Sequence, residues 1–554
     1  MIVTRTLCGR CAMGCGIRAM VEDKGDVLLE GDRIHPANMG WLCPAGEALA
    51  AEAGCDDRLL HPLLAGKRIS RDRAIAQAAR RLSDIVGRHG PESVALHVAG
   101  DLTTEDYYAA NKLMKGFVGS AHIDVPWADT SAQAHCAAFG EDVMPTSVED
   151  IDRAELILVI GAEALRRHPM LNRRVARARE EQGALLAVID PDPAARRVPA
   201  DLHLDPAPGS MATLLGGLLR HCHDAGLADP AFLAAHVHVP PDYWEGLRPG
   251  HDLWSVARAT GLSAARIRAL QDMVAASARM VTLCDANAGE GMAQAAAAII
   301  ALHLATGRIG RPGAGPFLLP GAPNAMGARE AGCGADMLAA HHDFGDRALD
   351  SLRRFWSAPN LTSAPGLSGD LLVEAIGDGR IKALVMLGAA PSAWFDALPT
   401  GRPFTLFAGD RLDPIQAERI DIALPMAGLL ERDGTLTSAD RLIARQRPVL
   451  PLSGEARPGW WIVTQIARAM GWHDAFHYER PADIYREHAR LSAYQPGSQR
   501  LFSLRRHAPI SNPAYQELTP WRWGGLPFDE GRFPTPDGKA RLVCFWDQAF
   551  AAIA

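Results

Sequence analysis

Apolar and polar positions alternate along most of this chain with the periods of an α/β protein. Ser70 precedes a run, Asp72 to Gly87, with apolar residues at helical spacing, and Ser93 to His97 is short and apolar enough for a buried strand. Thr103, Thr104 and Glu105 then lead into a second helical run, Asp106 to Phe117. Leu156 to Ile160 is a continuous apolar strand closed by Gly161; Asn172 to Glu181 is helical, and Ala184 to Ile189 is a strand ending in Asp190-Pro191. Strand, glycine, loop, helix, strand and acid in that order outline a parallel nucleotide-binding unit, with ligands expected beyond the strand ends. Amphipathic helices follow at 207–222 and 263–277, a strand at 280–283 and an alanine-rich helix at 293–307. A second unit repeats the outline: helix Leu371 to Ile376, strand Ala383 to Leu387, Gly388, strand Phe404 to Phe407 and Asp410, with a further strand at 420–424. Residues 453–471 carry a helix with Trp460-Trp461, which we assign to the core.

Three stretches lack a clear period. Residues 57–67 read as an extended connector, 120–145 as irregular, and the glycine-rich run 313–334 as a loop lining a site. The segment 496–536, rich in Pro, Trp and Arg, is also irregular.

Candidate chemistry concentrates at the N-terminus. Cys8, Cys11, Cys15 and Cys43 form the pattern C-x2-C-x3-C-x27-C. Three thiols within eight residues converge on one object only if the chain wraps round it, and Gly9, Gly14 and Gly16 permit that wrap. An all-thiolate set suits an iron–sulfur cluster or a structural zinc. Zinc more often takes two C-x2-C pairs. The three-plus-one grouping, with Trp41-Leu42 available to shield a redox centre, favours a [4Fe–4S] cluster.

Composition narrows the classes. At 554 residues the chain has room for three or four domains. A net charge of −7 gives no reason to expect nucleic acid or an anionic membrane as partner. The other six cysteines (Cys55, Cys136, Cys222, Cys284, Cys333, Cys544) show no pairing pattern, which implies reduced thiols in a reducing compartment. The N-terminus has neither an apolar signal region nor a twin arginine, and the most apolar window, 293–305, is too short to span a bilayer. These features predict a cytoplasmic protein without membrane insertion.

The sequence resembles the molybdopterin oxidoreductase family, most closely its cytoplasmic assimilatory nitrate reductases. The likeness is carried by the cysteine module with HPAN at 35–38, and by the stretches Thr104–Asp124, Leu302–Phe317, Pro323–Glu330, Asp433–Arg447 and Phe533–Arg541. It implies an N-terminal iron–sulfur module plus two interleaved Rossmann-like α/β domains: the cluster module at 1–59, one domain at 60–125 and 323–554 (with the irregular tail), and the other at 126–322. In the family, the α/β domains hold the halves of a bis(molybdopterin guanine dinucleotide) cofactor whose molybdenum removes an oxygen atom from nitrate.

Departures from the family fall on cofactor-facing positions. The metal-ligating cysteine expected after Ile123-Asp124 aligns with Thr130, preceded by Asp129, while Cys136 lies six residues further on. The family's lysine after the fourth cluster cysteine is absent from Cys43-Pro44-Ala45-Gly46. Glu163 follows Gly161-Ala162, where a carboxylate would oppose an anionic pyrophosphate. A basic run is replaced by Asp190-Pro191-Asp192-Pro193-Ala194, an acid is lost at Ser210-Met211, and a polar turn becomes Cys284-Asp285-Ala286-Asn287-Ala288. The family's cofactor-closing domain after Phe533–Arg541 does not follow in this sequence. The expectation is therefore a [4Fe–4S] electron-transfer or scaffold subunit of a larger redox complex, with the molybdenum site lost, molybdopterin guanine dinucleotide disfavoured, and other redox subunits as partners. The first alternative is the catalytic chain of a split oxidoreductase for nitrate or another oxyanion, with Asp129 or Thr130 as metal ligand. The second is a purely structural cluster protein. His168, His303, His341 and His342 are assigned to ordinary polar contacts rather than to a second metal.

Overall fold

The computed structural model describes residues 2–22, 26–52, 57–127, 130–285, 291–399, 401–494 and 499–547. The cysteine module opens with a three-stranded antiparallel sheet in the order β1 (Ile2–Leu7), β2 (Gly16–Val21), β3 (Val27–Gly31). The chain continues through β4 (Leu63–Leu64), β5 (Lys67–Arg68), β6 (Val94–Val98) and β7 (Ile123–Asp124). Then come β8 (Leu156–Ile160), β9 (Leu185–Ile189), β10 (Leu202–Leu204), β11 (Val237–His238), β12 (Met280–Asp285) and β13 (Gly315–Leu319). The last are β14 (Ala383–Leu387), β15 (Phe404–Gly409), β16 (Ile422–Pro425), β17 (Gly434–Thr437), β18 (Leu442–Gln446), β19 (Trp521–Arg522) and β20 (Ala540–Arg541).

Two sheets carry the body. One is wholly parallel, ordered β10-β9-β8-β12-β13. The other is ordered β5-β4-β16-β15-β14-β6-β7, parallel except for the antiparallel edge made by β4 and β5. Every residue of β8 is buried, as expected where helices cover both faces of a parallel sheet. The second sheet takes β6 and β7 before, and β14 to β16 after, the segment that builds the first, so the two units are interleaved. In each sheet the strand order reverses once, between β8 and β12 and between β6 and β14. In open α/β sheets, ligand crevices lie at the carboxyl ends of such strand pairs.

The structure corrects three sequence readings. The run 313–334 is not a loop: Gly315–Leu319 is a buried edge strand and Ala325–Glu330 a buried helix. Its glycines serve close packing, because a Cβ at Gly315 would overlap Thr146 Oγ1 and one at Gly332 the backbone of Leu338-Ala339. Within 120–145, Thr130–Phe139 is a helix packed on Met292–Ala305; its alanines blur the apolar period. The connector 57–67 contains β4, which pairs with β16.

The helix that runs on from Thr103 begins with a capping box, in which Thr103 accepts from the Asp106 amide while the Asp106 carboxylate accepts from the Thr103 amide. It is α-helical at Thr104–Asn111 and widens to a π-helix at Lys112–Val118, buried throughout. Lys115 is fully enclosed there and donates to the carbonyls of Gly332, Gly334 and Met337, which ties the following chain to the helix.

Candidate cluster and cofactor sites

The cysteine module is assembled by backbone pairing and one asparagine. Cys8 ends the β1 arm and its amide donates to the Cys15 carbonyl at 2.8 Å, so the two thiols flank one tight loop containing Cys11. Gly14, at φ +58°, makes that loop possible. Asn38, fully buried, then brings in the distant fourth thiol. Its Oδ1 accepts from the Gly16 amide at 2.8 Å, and its Nδ2 donates to the carbonyls of Gly16 at 2.9 Å and Trp41 at 2.5 Å. Cys43 thereby arrives beside Cys15. A Cβ at Gly16 would overlap the His35 ring, which explains the glycine.

Cys8 and Cys15 are buried, Cys11 and Cys43 half-buried, and none of the four is in a disulfide. Burial, followed by the charges of Cys11 and Cys43, pushes the Cys8 thiol up to about 12. Burial pushes Cys11 up to about 11 and raises Cys15 well above the ordinary cysteine range, the latter further raised by the other three thiols. These three desolvated thiols need a compensating cation to ionise. Among the described residues, no group of three or more His, Cys, Asp or Glu side chains is placed to hold a single metal ion. Leu42 is half-buried, but Trp41, expected as a shield, is 49% exposed and lies under the Arg173 guanidinium.

Arg174 fastens the module to the body. It is 2% exposed, and it donates to the carbonyls of Pro36, Ala37 and Val148 and, at 2.5 Å, to Asp152.

The crevice at the ends of β8 and β12 is lined by groups that the sequence alone misjudged. Glu163 pairs with Arg166 one turn away, an exposed contact that offsets part of its charge. Arg167 reaches across to Asp285 at 3.0 Å and Gly321 O at 3.4 Å. Asp190 accepts from the Ala162 and Asp192 amides, and Asp192 from the Ala194 amide, so both acids cap turns. Residues 286–290, which complete the altered turn after Cys284-Asp285, lie outside the described residues.

Of the two candidate metal ligands, Asp129 lies outside the described residues; Thr130 is half-buried at the first turn of the helix Thr130–Phe139. Ala134 and Ala138 of that helix are buried, while Gln133 is partly open and Cys136 exposed. Cys136 sits about 9 Å further along the axis than Thr130. Burial and the carboxylates of Asp142 and Glu141 raise its thiol well above the usual range, and Arg329 opposes them. Thr130, Gln133 and Cys136 thus line the accessible wall of this helix.

Behind this wall is a buried polar cluster that sequence reasoning did not assemble. Asp142 accepts from Arg329 Nε at 2.5 Å and meets His135 Nδ1 at 2.9 Å. Burial alone would raise this carboxyl, but Arg329 and then His135 hold it well below the carboxylate range. Glu141 meets His341 Nδ1 at 2.9 Å and accepts from the amides of Leu501 and Phe502 at 2.6 and 3.0 Å. Glu330 accepts from Thr437 and Trp523, yet burial raises it to about 7. Arg329 and Glu330 belong to the stretch 323–330, the one signal that could have pointed here. The other histidines make local contacts: His168 with Ala164 O, His303 with Thr282 and His342 with Ala339 O.

Comparison with known proteins places these features in one family. The sequence model of the molybdopterin oxidoreductase Fe4S4 domain matches residues 1–53, and that of the molybdopterin oxidoreductases matches residues 58–469. A nitrate reductase of Klebsiella oxytoca is 38% identical over 94% of this chain and 61% of its own length. One of Shewanella frigidimarina (strain NCIMB 400) is 34% identical over 98% of this chain and 61% of its own. The chain thus spans about three fifths of the length of these curated relatives. The structure of acetylene hydratase from Pelobacter acetylenicus superposes with a TM-score of 0.77 at 18% identity, covering 98% of this chain and 78% of that one, a likeness of fold. The chain belongs to the molybdopterin oxidoreductase family, with an N-terminal Fe4S4 domain. Among the described residues, no helix is long and apolar enough to cross a membrane.

Proposed function

We propose that this member of the molybdopterin oxidoreductase family is a catalytic chain that reduces nitrate or a related oxyanion, rather than a relay from which the molybdenum site has gone. The observation that carries the reading is Arg329. Its guanidinium is buried, aimed by Asp142, and its charge is felt at Cys136 on the open face of the helix Thr130–Phe139. Paired with Asp142, it would serve an oxyanion as a fixed, planar hydrogen-bond fork rather than as a free charge. Two relatives named nitrate reductases support the substrate class. The argument for a lost site also weakens, because Glu163 is paired with Arg166 and the acids at 190 and 192 cap turns.

Cys8, Cys11, Cys15 and Cys43 would hold a [4Fe–4S] cluster, and the crevices at the ends of β8/β12 and β6/β14 would hold the two halves of a molybdopterin guanine dinucleotide cofactor. When bound, that cofactor supplies the oxygen-atom and electron chemistry. The chain's own part is to ligate the metal from Asp129 or Thr130, to orient the anion by Arg329, and to keep Arg329 in place through Asp142 and His135.

The test is anaerobic purification with whatever co-purifies, from a host that makes the cofactor, followed by elemental analysis and nitrate reduction with reduced viologen. About four irons and about one molybdenum per chain are expected, with reduction lost in the Arg329→Ala variant. Iron without molybdenum or tungsten would overturn this reading and restore the relay. Zinc without iron would overturn both.

A further inference from the structure

We propose that Glu330 and His341 form a proton relay that delivers the protons consumed when an oxyanion held at Arg329 gives up an oxygen atom. The proposal rests on the nitrate reading above and assigns the acid side of that reaction to this chain. His341 stands in a tight turn closed by the Leu338 amide, which donates to the His342 carbonyl at 2.9 Å. Ala340 and His341 both take left-handed backbone there, at φ +60° and +55°. Neither residue type favours that conformation, and such strain persists where the surroundings hold a side chain in place for use. Glu141 holds the ring: it meets Nδ1 at 2.9 Å while its two oxygens also accept from the Leu501 and Phe502 amides. A carboxylate so fixed keeps the resting proton on Nδ1 and leaves Nε2 as the bare nitrogen. That Nε2 is buried and has no hydrogen-bond partner among the described residues.

Glu330 is the proton source. It is fully buried, and Trp523 links it to the ring: the indole Nε1 donates to Glu330 Oε1 at 2.6 Å, and the indole meets His341 edge-on at 5.8 Å. Burial and Asp142 favour the neutral acid at Glu330, while Thr437, His341 and Trp523 favour its charged form. The other titratable groups facing the pair and its Glu141 clamp are Arg441, Tyr485, His342, His488 and Arg500. Asp142, which aims Arg329, also senses His341, so relay and anion site share one cluster. An open groove bordered by Leu501 and Gly524 reaches this cluster from outside, since the Leu501 amide is bonded to Glu141 and Gly524 follows Trp523. Reduction of nitrate by two electrons from the external reductant breaks one N–O bond and takes up two protons, giving nitrite and water. Each proton passes from the Glu330 carboxyl to His341 Nε2, where Glu141 stabilises the imidazolium, and then to the departing oxygen. Glu330 is reloaded from the groove.

The test uses the whole protein as isolated, with iron and molybdenum counted in every variant. Infrared difference spectra of the wild type should show a carboxylic-acid carbonyl band that disappears as pH rises through about 7. Glu330→Gln should lack that band, and His341→Gln should raise its midpoint, since the ring favours the charged carboxylate. Viologen-driven nitrate reduction should lose at least about tenfold in kcat in both variants, and the alkaline fall of the wild-type kcat should vanish in Glu330→Gln. Wild-type kcat and pH profile in both metal-replete variants would overturn the proposal, as would the absence of a titrating band. A slow Glu330→Gln protein that keeps the alkaline fall would also overturn it, because that result marks a structural role. A titrating band that His341→Gln shifts, in molybdenum-loaded protein inert to nitrate, would uphold the coupled pair and count against the nitrate reading.

Discussion

Replacing Arg174 by methionine tests whether one buried guanidinium joins the cluster module to the α/β body. Methionine fills much of the volume but donates no hydrogen bond. It would strip partners from the carbonyls of Pro36, Ala37 and Val148 and from the Asp152 carboxylate. Ala37 and Val148 are 2% exposed, so water cannot replace the lost donors there without opening the interface. Each buried acceptor left unsatisfied costs about 1–3 kcal/mol. Asp152 is 24% exposed at its side chain and can rehydrate, so it contributes less than a fully enclosed ion pair would. Together the loss comes to about 3–5 kcal/mol. For 554 residues unfolding cooperatively, an unfolding entropy of about 1.2 kcal/mol/K converts this to a fall in Tm of about 3–4 °C. If the module and its neighbours melt first, the shift is larger. The sharper assay is iron release to a chelator, because Arg174 holds the loop that Asn38 uses to place Cys43. Release should be faster in Arg174→Met, with Arg174→Lys in between, since lysine restores the charge but not the fork. A variant that melts within about 1 °C of wild type and keeps its iron equally long would refute the argument.

Three further outcomes are expected. Gly16→Ala should lose iron on purification and melt lower, since its Cβ would drive His35 out of the loop; full iron content would show that the loop is not packed as described. Asp142→Asn should lower kcat/KM for nitrate by about tenfold or more and also lower the melting temperature, because it leaves the buried Arg329 charge without its partner; unchanged kinetics in folded protein would remove Asp142 from the site. Stability should fall steeply as pH drops from about 6.5: burial lowers His342 and His488 to about 4 and His303 to about 3. These rings are neutral in the fold and take up protons only on unfolding, so their contribution is whole above 6.5 and lost towards 4, each by about 1.4 kcal/mol per pH unit. Denaturant titrations flat between pH 6.5 and 4.5 would contradict this.

The parts of the fold legible in the sequence were those whose chemistry is local. Leu156–Ile160 and Ala383–Leu387 are uninterrupted apolar runs because both faces of their sheets are covered, and they form strands at those positions. The same rule hid the helix Thr130–Phe139, where alanine serves on buried and open faces alike and leaves no period to see. The glycines of 313–334 suggested freedom, but Gly315 and Gly332 are there because other backbone and side chains press where a Cβ would be. Composition cannot distinguish those two reasons for a glycine.

The candidate site shows a similar division. The cysteine spacing could be read directly, and HPAN could be matched, yet the work of Asn38 needs the coordinates because its partners lie 22 residues back and 3 ahead. Asp142 and Arg329 meet across 187 residues, and no periodic rule joins them. Glu163 illustrates a different limit. Arg166 was visible three residues on, at the spacing where helix neighbours pair, but a carboxylate near a phosphate crevice was weighed as an isolated charge. Charge at a binding crevice is a property of pairs, so a substitution there argues for a lost ligand only after its neighbours one turn away have been counted. Counted that way, the crevice at β8 and β12 holds two ion pairs, Glu163 with Arg166 and Arg167 with Asp285, and Glu163 alone is no argument against an anionic cofactor.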